Sequence, residues 1–510
     1  MQYIADAQKA KKIDMISIQD VGIPSCVLME RASLKIADCI CENIKSVSKK
    51  VFVISGTGNN GGDGIAAGRI LAERGYQVTF CLIGDEKKAS EEMKLQLAII
   101  RKLGFLVATD FSENAVLPDR DSIIIDALFG IGLSREVTGR YAECINWMNQ
   151  MESTIVSVDI PSGIDASTAN VLGVAVKADY TVTFGVNKLG LVLFPGMQYA
   201  GKVLVEDIGF PKDVIKREAS GICSYEMCDI VEKFPKRIIQ SNKGSYGKVL
   251  VIAGSEYISG AAFFSAKAAY LMGCGLVHVV SHRNNREMLQ TKLPEALFTF
   301  YQENDMQKEN VSLFLEQLQE SMKQASAIVI GPGIGQSDFS KKMLECVLEH
   351  SEVPTVIDAD GINLLAGMRE YFDEDGRIKL AEHFVLTPHL KEMSRLRQSS
   401  VGLIQENLVQ CAKESTTGSV IVLKDARTVI SDGSQMVLNQ SGNNALAKGG
   451  SGDVLSGMTG GLLARGVRPF DAAALSVYLH GVTAEKFIRD NSSSSMLASD
   501  ILEMLPKVLP

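Results

Sequence analysis

Short apolar runs that stop at glycine or a turn recur along the chain, and segments with apolar residues at helical spacing lie between them. In residues 32–44 the apolar positions 34, 36, 37, 40, 41 and 44 share one helical face. VFVISG (51–56), YQVTFCLIG (76–84), SIIIDALFG (122–130), TIVSVDIPSG (154–163) and YTVTFGV (180–186) read as strands, with a helix over 65–74. Strands that are apolar at nearly every position are buried on both faces. This predicts a parallel sheet covered by helices on both sides, a Rossmann-like three-layer α/β domain. The pattern restarts at KVLVIAGS (248–255) with a small-residue helix over 259–275. Strands or strand–turn units follow at 276–281, 327–335, 354–365, 383–396 and 418–428, predicting a second layered α/β domain. The polar stretch around 212–222 separates the two, giving domains 1–215 and 222–510.

Charge and composition narrow the function classes. The net charge of −8 shows no basic excess of the kind that binds nucleic acid. No apolar run approaches the ~18 residues of a membrane span. The opening MQYIADAQKAKKIDMI mixes charges and lacks an apolar h-region, so a cytoplasmic enzyme without a signal peptide is expected. Ten cysteines without paired spacing fit reduced thiols. All six histidines (278, 282, 350, 383, 389 and 480) lie in the second half. Chemistry in the first half must therefore use Asp, Lys, Tyr, amides or an ion with oxygen ligands.

Ligands of parallel α/β sheets bind beyond the carboxyl ends of the strands. The polar residues there in the first half are Asn59, Asn60, Asp63, Asp126, Asp159, Ser162 and Lys188. Gly56, Gly58 and Gly61 match a dinucleotide fingerprint, with Asp85 near the place of a ribose-binding acid. That would make a dehydrogenase. Against it, no proton-donating His or Tyr-x-x-x-Lys is present, and Asn59, Asn60 and Asp63 crowd the loop. Converging amide, carboxylate and hydroxyl oxygens suit a hard cation instead.

In the second half the strand-end residues are Asp358, Asp360, His389, Glu392, Lys424 and Asn444. KGGSGDVLSG (448–457) is a glycine-rich loop opening into a helix, with one carboxylate, Asp453. Backbone N–H groups at such a helix start form an anion hole. A carboxylate there repels an anion unless it takes a proton from a hydroxyl in phosphoryl transfer. The plainer alternatives are a helix cap for Asp453, a structural role for His389, and core packing for Tyr257, Phe263 and Phe264.

NNGGDG, DALFGIGL, SVDIPSGID and TFGVNKLGL, in this order, resemble the NAD(P)H-hydrate epimerase domain across residues 1–210. The resemblance implies that Asn59, Asn60, Gly61, Gly62 and Asp63 contact a hydrated nicotinamide nucleotide. It also implies substrate contacts from Gly130, Ile131, Gly132, Leu133, Ser134, Arg135, Glu136 and Asp159, and potassium (K+) ligands in Asn60, Asp126 and Ser162. The reaction would interconvert R and S hydrates at ring carbon C6. In a half without histidine, Asp159 is the best acid/base candidate and Lys188 the second.

KGSYGKVLVIAGS, SGAA, GPGIG, DADGINLL, TPHLKEM, LKDART and NNALAKGGSGDVLSG resemble the ADP-dependent NAD(P)H-hydrate dehydratase, of ribokinase-like fold, over about 240–490. By that resemblance Ala261, Gly335, His389 and Asp453 meet the hydrate. Lys424, Asp425, Ala426, Arg427, Thr428 and Gly452 hold ADP, with Mg2+ on its phosphates. Asp453 is the catalytic base. Asp425 stands where the family usually has glycine, Leu390-Lys391 replace Pro-Gly, and Lys448 replaces a common threonine. The expected partners are NADHX, NADPHX and ADP, with no nucleic acid and no membrane, in a homo-oligomer such as a homotetramer. Two readings compete: a hydroxyethylthiazole- or pyridoxal-type kinase in the second half, and a first half that only senses nucleotide or scaffolds.

Overall fold

The computed structural model describes residues 1–44, 49–111, 118–302 and 308–510. The chain divides into two compact units, Gln2–Ile222 and Cys223–Pro510.

In the first unit, strands β1 (Lys50–Ser55), β2 (Gln77–Leu82), β3 (Val107–Ala108), β4 (Ile123–Ala127), β5 (Thr154–Val158), β6 (Tyr180–Phe184) and β7 (Lys202–Glu206) form one sheet. Their order is β3-β2-β1-β4-β5-β6-β7, every pair parallel. Successive residues feed different cores. Val51, Val53, Ile123 and Ile125 pack with Leu28, Ile36, Ile40, Ile65 and Leu71 from helices Ser25–Asn43 and Asn59–Glu73. Phe52, Ile54 and Ile124 pack on the other face with Cys144, Ile145 and Met148 of helix Gly139–Gln150. Burial on both faces explains the unbroken apolar runs, each fully buried Ile or Phe adding ~1.5–3 kcal/mol. The strand order reverses between β1 and β4, and a crevice opens at such a switch point.

The helix after β1 begins at Asn59, earlier than the 65–74 span its apolar residues suggest. Its glycines are the cause. A Cβ would lie 2.0 Å from the Gly56 carbonyl oxygen at Gly61, 2.4 Å from the Ala127 Cβ at Gly64, and 2.5 Å from the Phe80 ring at Gly68. The segment that reads as a flexible loop is the face on which this helix touches the sheet.

The second unit contains β8 (Lys248–Ile252), β9 (Leu276–His282), β10 (Leu297–Tyr301), β11 (Ala327–Ile330), β12 (Thr355–Ile357), β13 (Phe384–Leu386), β14 (Val420–Leu423), β15 (Val429–Ser431) and β16 (Met436–Leu438). They run β10-β9-β8-β11-β12-β13-β14-β15-β16, parallel as far as β14 and antiparallel beyond. Helices Gly260–Leu271 and Ser451–Ala464 cross this sheet and touch at glycine. A Cβ on Gly457 would lie 2.0 Å from the Ser265 carbonyl oxygen, and one on Gly461 2.7 Å from that of Ala269. Among the described residues, no helix is long and apolar enough to cross a membrane.

Candidate active sites

The crevice in the first unit is a cleft of about 930 Å³. Of the expected residues, Asn59, Asn60, Asp63, the stretch 130–135, Asp159 and Lys188 line it. Gly61 and Gly62 do not; Gly61 packs on Gly56, and a Cβ on Gly62 would meet the Met29 side chain at 2.7 Å. Glu136 is exposed outside the lining. Asp126 and Ser162 lie fully buried.

Asp126 ends β4, where its carboxylate gathers donors from the neighbouring strand and loop. It accepts from Ser157 Oγ at 2.7 Å, Ser162 Oγ at 2.6 Å and Ser162 N at 2.9 Å. Burial pushes its carboxyl up, and those hydrogen bonds oppose the shift. Ser162 Oγ also lies 3.3 Å from the Phe129 carbonyl oxygen. The Asn60 amide lies beside Gly130, where a Cβ would be 3.0 Å from Asn60 Oδ1, and Asn60 Nδ2 is buried with no partner.

Asp159 follows β5 with φ 64, a left-handed value that is strained for aspartate. Its Oδ1 accepts from Lys188 Nζ at 2.6 Å and Thr183 Oγ1 at 2.9 Å. Lys188 Nζ also donates to Thr183 Oγ1 at 2.7 Å and to the Phe184 carbonyl at 3.1 Å. Its backbone is fixed by the strand Asn187–Lys188, which pairs with Gln2–Ala5. The two acid/base candidates are therefore one hydrogen-bonded pair with its charged atoms at the cleft. Asp85 caps its own helical turn, accepting from Lys87 N at 3.0 Å, which is a local task unlike that of a ribose-binding acid.

In the second unit the strand-end residues meet around the start of helix Ser451–Ala464, whose first turn holds Gly452 and Asp453. Gly450 at φ +88 makes the bend; a Cβ there would lie 2.9 Å from both Phe264 and Ala498. Buried His480 braces the turn through Nε2, 3.1 Å from the Ser451 carbonyl, and burial lowers its pKa to about 4, so the ring is neutral. Lys424 Nζ is 2.9 Å from Asp358 Oδ1, and Ser456 Oγ donates to Asp358 Oδ2 at 2.5 Å. Burial opposes both charges, yet each holds the other ionised: Asp358 is lowered and Lys424 raised. A Cβ on Gly452 would be 3.4 Å from Lys424 Nζ, so the ammonium sits at the helix start. Burial and then Asp358 push Asp453 up to about 6, against the pull of Lys424.

His389 is half exposed at the end of β13. Its Nδ1 accepts from Lys391 N at 3.1 Å and Glu392 N at 3.2 Å, so the neutral ring carries its proton on Nε2. That proton faces Glu392 Oε1 at 3.4 Å, and burial raises the Glu392 carboxyl to about 7. Gly335 N donates to Asp360 Oδ2 at 3.0 Å, while Ala261 is buried in the first turn of its helix. Arg427 Nη1 donates to the Gln440 carbonyl at 2.9 Å, and Thr428 Oγ1 to that of Asp425 at 3.5 Å, fixing the 424–428 turn between β14 and β15. Lys448, Asn444 and Ala426 are exposed. Tyr257, expected in the core, is 89% exposed on the loop after β8; Phe263 and Phe264 pack half-buried against the core. The sequence reading singled out neither His480 nor Ser456; a histidine or serine inside an apolar helix pattern was the available signal.

The NAD(P)H-hydrate dehydratase family model matches residues 249–507, and the YjeF-related protein N-terminus model matches 25–190. The bifunctional NAD(P)H-hydrate repair enzyme Nnr of Moorella thermoacetica is 33% identical over 524 aligned positions, covering 99% of this chain and 96% of that protein. The Escherichia coli enzyme of the same description is 32% identical, covering 96% and 90%. Among solved structures, the Bacillus subtilis ADP/ATP-dependent NAD(P)H-hydrate dehydratase, crystallised with ATP and Mg2+, is 29% identical with TM-score 0.47, covering 56% of this chain and 96% of that one. The chain belongs to the bifunctional NAD(P)H-hydrate repair enzymes, with an epimerase-type first unit and a dehydratase-type second unit.

Proposed function

We propose that the first unit exchanges the R and S hydrates of NADH and NADPH at C6, and that the second dehydrates the S hydrate with ADP, giving AMP and phosphate. The observation that carries the second step is the place of Asp453, in the first turn of helix Ser451–Ala464 where the Lys424 ammonium sits, with burial pushing its carboxyl up to about 6. A group so tuned takes the ring hydroxyl's proton near neutral pH. The freed oxygen attacks the terminal phosphorus, and the bond to AMP breaks. The phosphate then leaves C6 as C5 loses a proton, restoring the dihydronicotinamide. The Gly449–Gly452 backbone and Lys424 face the phosphates, and His389 presents Nε2–H to the hydrate. Residues 425–428 hold the rest of the nucleotide.

In the first unit, Asn59, Asn60, Asp63 and residues 130–135 receive the nucleotide, and the Asp159–Lys188 pair moves protons at C6. The donor set beneath the cleft fits potassium: Asp126, Ser162 and Asn60 offer oxygen. Bound there, the cation would hold these oxygens together and add positive potential below the substrate. Mg2+ fits the second site as a phosphate-borne ion, because Asp358 is already committed to Lys424 and Ser456. It would neutralise charge on the transferring phosphoryl group. A cytoplasmic homo-oligomer is the setting we propose.

Asp453→Asn tests the reading. It is expected to abolish NADH formation from S hydrate and ADP while epimer exchange persists; NADH formation at the wild-type rate would overturn it. Stable phosphorylated vitamin-like alcohols in place of NADH would indicate a kinase.

A further inference from the structure

Asp14, on helix Ala7–Gln19, has no part in the chemistry above. Its neighbours Ile13, Ile16 and Ser17 are buried and anchor the helix. Asp14 itself is half-buried and lines the same cleft as Asp159 and Lys188. Among the described residues its carboxylate makes no hydrogen bond and no ion pair. Two of the other acids there are engaged. Asp159 is bound by Lys188 and Thr183, and Glu92 accepts from Ser25 Oγ at 2.7 Å. Asp63 also lines the cleft without a hydrogen-bond partner, and burial, then Asp159 and Asp14, raise its carboxyl. A half-buried acid with no partner costs stability and gives the fold nothing in return. The cleft is nonetheless a built ligand site, because Lys188 and the orphaned Asn60 amide face it.

We propose that Asp14 is the second acid/base residue of epimerisation, the proton donor that complements the Asp159–Lys188 pair. This rests on the epimerase reading of the first unit. The carboxylic acid of Asp14 protonates the C6 hydroxyl as the C6–O bond breaks. The N1 lone pair forms the N1=C6 bond, and water departs. A water then adds to either face of C6, the N1=C6 electrons return to N1, and the added water's spare proton goes to the Asp159 carboxylate. One water leaves and one enters, and nothing is oxidised or reduced. Protons return to Asp14 and leave Asp159 through solvent. Burial, then Asp159 and Glu92, push the Asp14 carboxyl up against the pull of Lys188, which favours its holding a proton. Two carboxyls whose surroundings differ in this way divide naturally into acid and base.

The test uses the full chain with purified R hydrate, following S hydrate by chromatography across pH. Asp14→Asn is expected to lower epimerisation kcat by ~10²-fold or more with KM nearly unchanged, and to remove the high-pH fall of the wild-type profile. Asp14→Glu, which keeps the acid but displaces it, is expected to be intermediate. Dehydration of S hydrate by the same variants should match wild type, and an epimerisation KM near the wild-type value reports that the first unit is folded. Wild-type epimerisation by both variants, with an unchanged pH profile, overturns the inference alone. A wild-type protein that does not epimerise overturns the functional reading and this inference with it.

Discussion

Asp453 works against the stability of its own domain. Its folded value near 6 lies above the ordinary 3.8, so between those pH values the folded state binds the proton more tightly than the unfolded one. Stability therefore falls as pH rises from 3.8 to about 6 and is level above that. Asp453→Asn is expected to be more stable than wild type by ~1–3 kcal/mol at pH 8 in urea unfolding, with no gain below ~pH 4. The same titration predicts that dehydration kcat rises with pH through about 6. His480 has the opposite sign. It is neutral when folded, with a value near 4 against an ordinary 6.5, so stability falls as pH drops from 6.5 towards 4. Lys188 is 3% exposed and its partner Asp159 13%, so Lys188→Met leaves a nearly buried carboxylate uncompensated. The expected loss is ~3–5 kcal/mol by urea unfolding, together with epimer exchange. Asp453, Asp159 and Lys188 were legible as residues because charged groups at the ends of apolar runs are conspicuous. Asp14 was not: a lone acid among lysines on a helix reads as solvated surface, and only the fold turns it to the cleft.

At the scale of elements, the strand ends carried most of the information. Polar residues after β1, β4 and β5, and after β12, β13 and β14, meet because parallel strands bring their carboxyl ends to one edge. The helix starts were less legible. Gly61 reads as part of a fingerprint loop and Gly457 as the end of a glycine-rich loop, whereas both, like Gly64 and Gly461, are close-packing contacts inside helices. Gly457→Ala is accordingly expected to lose ~1–3 kcal/mol and shift the Asp453 turn, lowering dehydration while sparing epimerisation. The β15–β16 hairpin was missed because each strand has only three residues, too few for a periodic signal. Strained backbone at Asp159 (φ 64) and Ala359 (φ 49) was not legible either, since it is imposed by tertiary packing at the two sites.

At the scale of the whole molecule, the main parallel strands of the two units follow different orders and carry different chemical groups at their ends. One offers an Asp–Lys pair at a cleft beside the buried Asp126–Ser162 hydrogen bonds; the other offers a helix start with the Lys424 ammonium and the Asp453 carboxyl, which burial raises. Dehydration specific for one epimer would strand half of a mixed hydrate pool, and epimerisation in the same chain removes that limit. The most direct measurement of this claim follows NADH absorbance after the wild-type protein meets a mixture of R and S NADH hydrates with K+, Mg2+ and ADP. The account predicts that both epimers are consumed to completion, with AMP and phosphate formed in equal amounts to NADH. A reaction that halts with R hydrate remaining, or that yields no NADH, would contradict it.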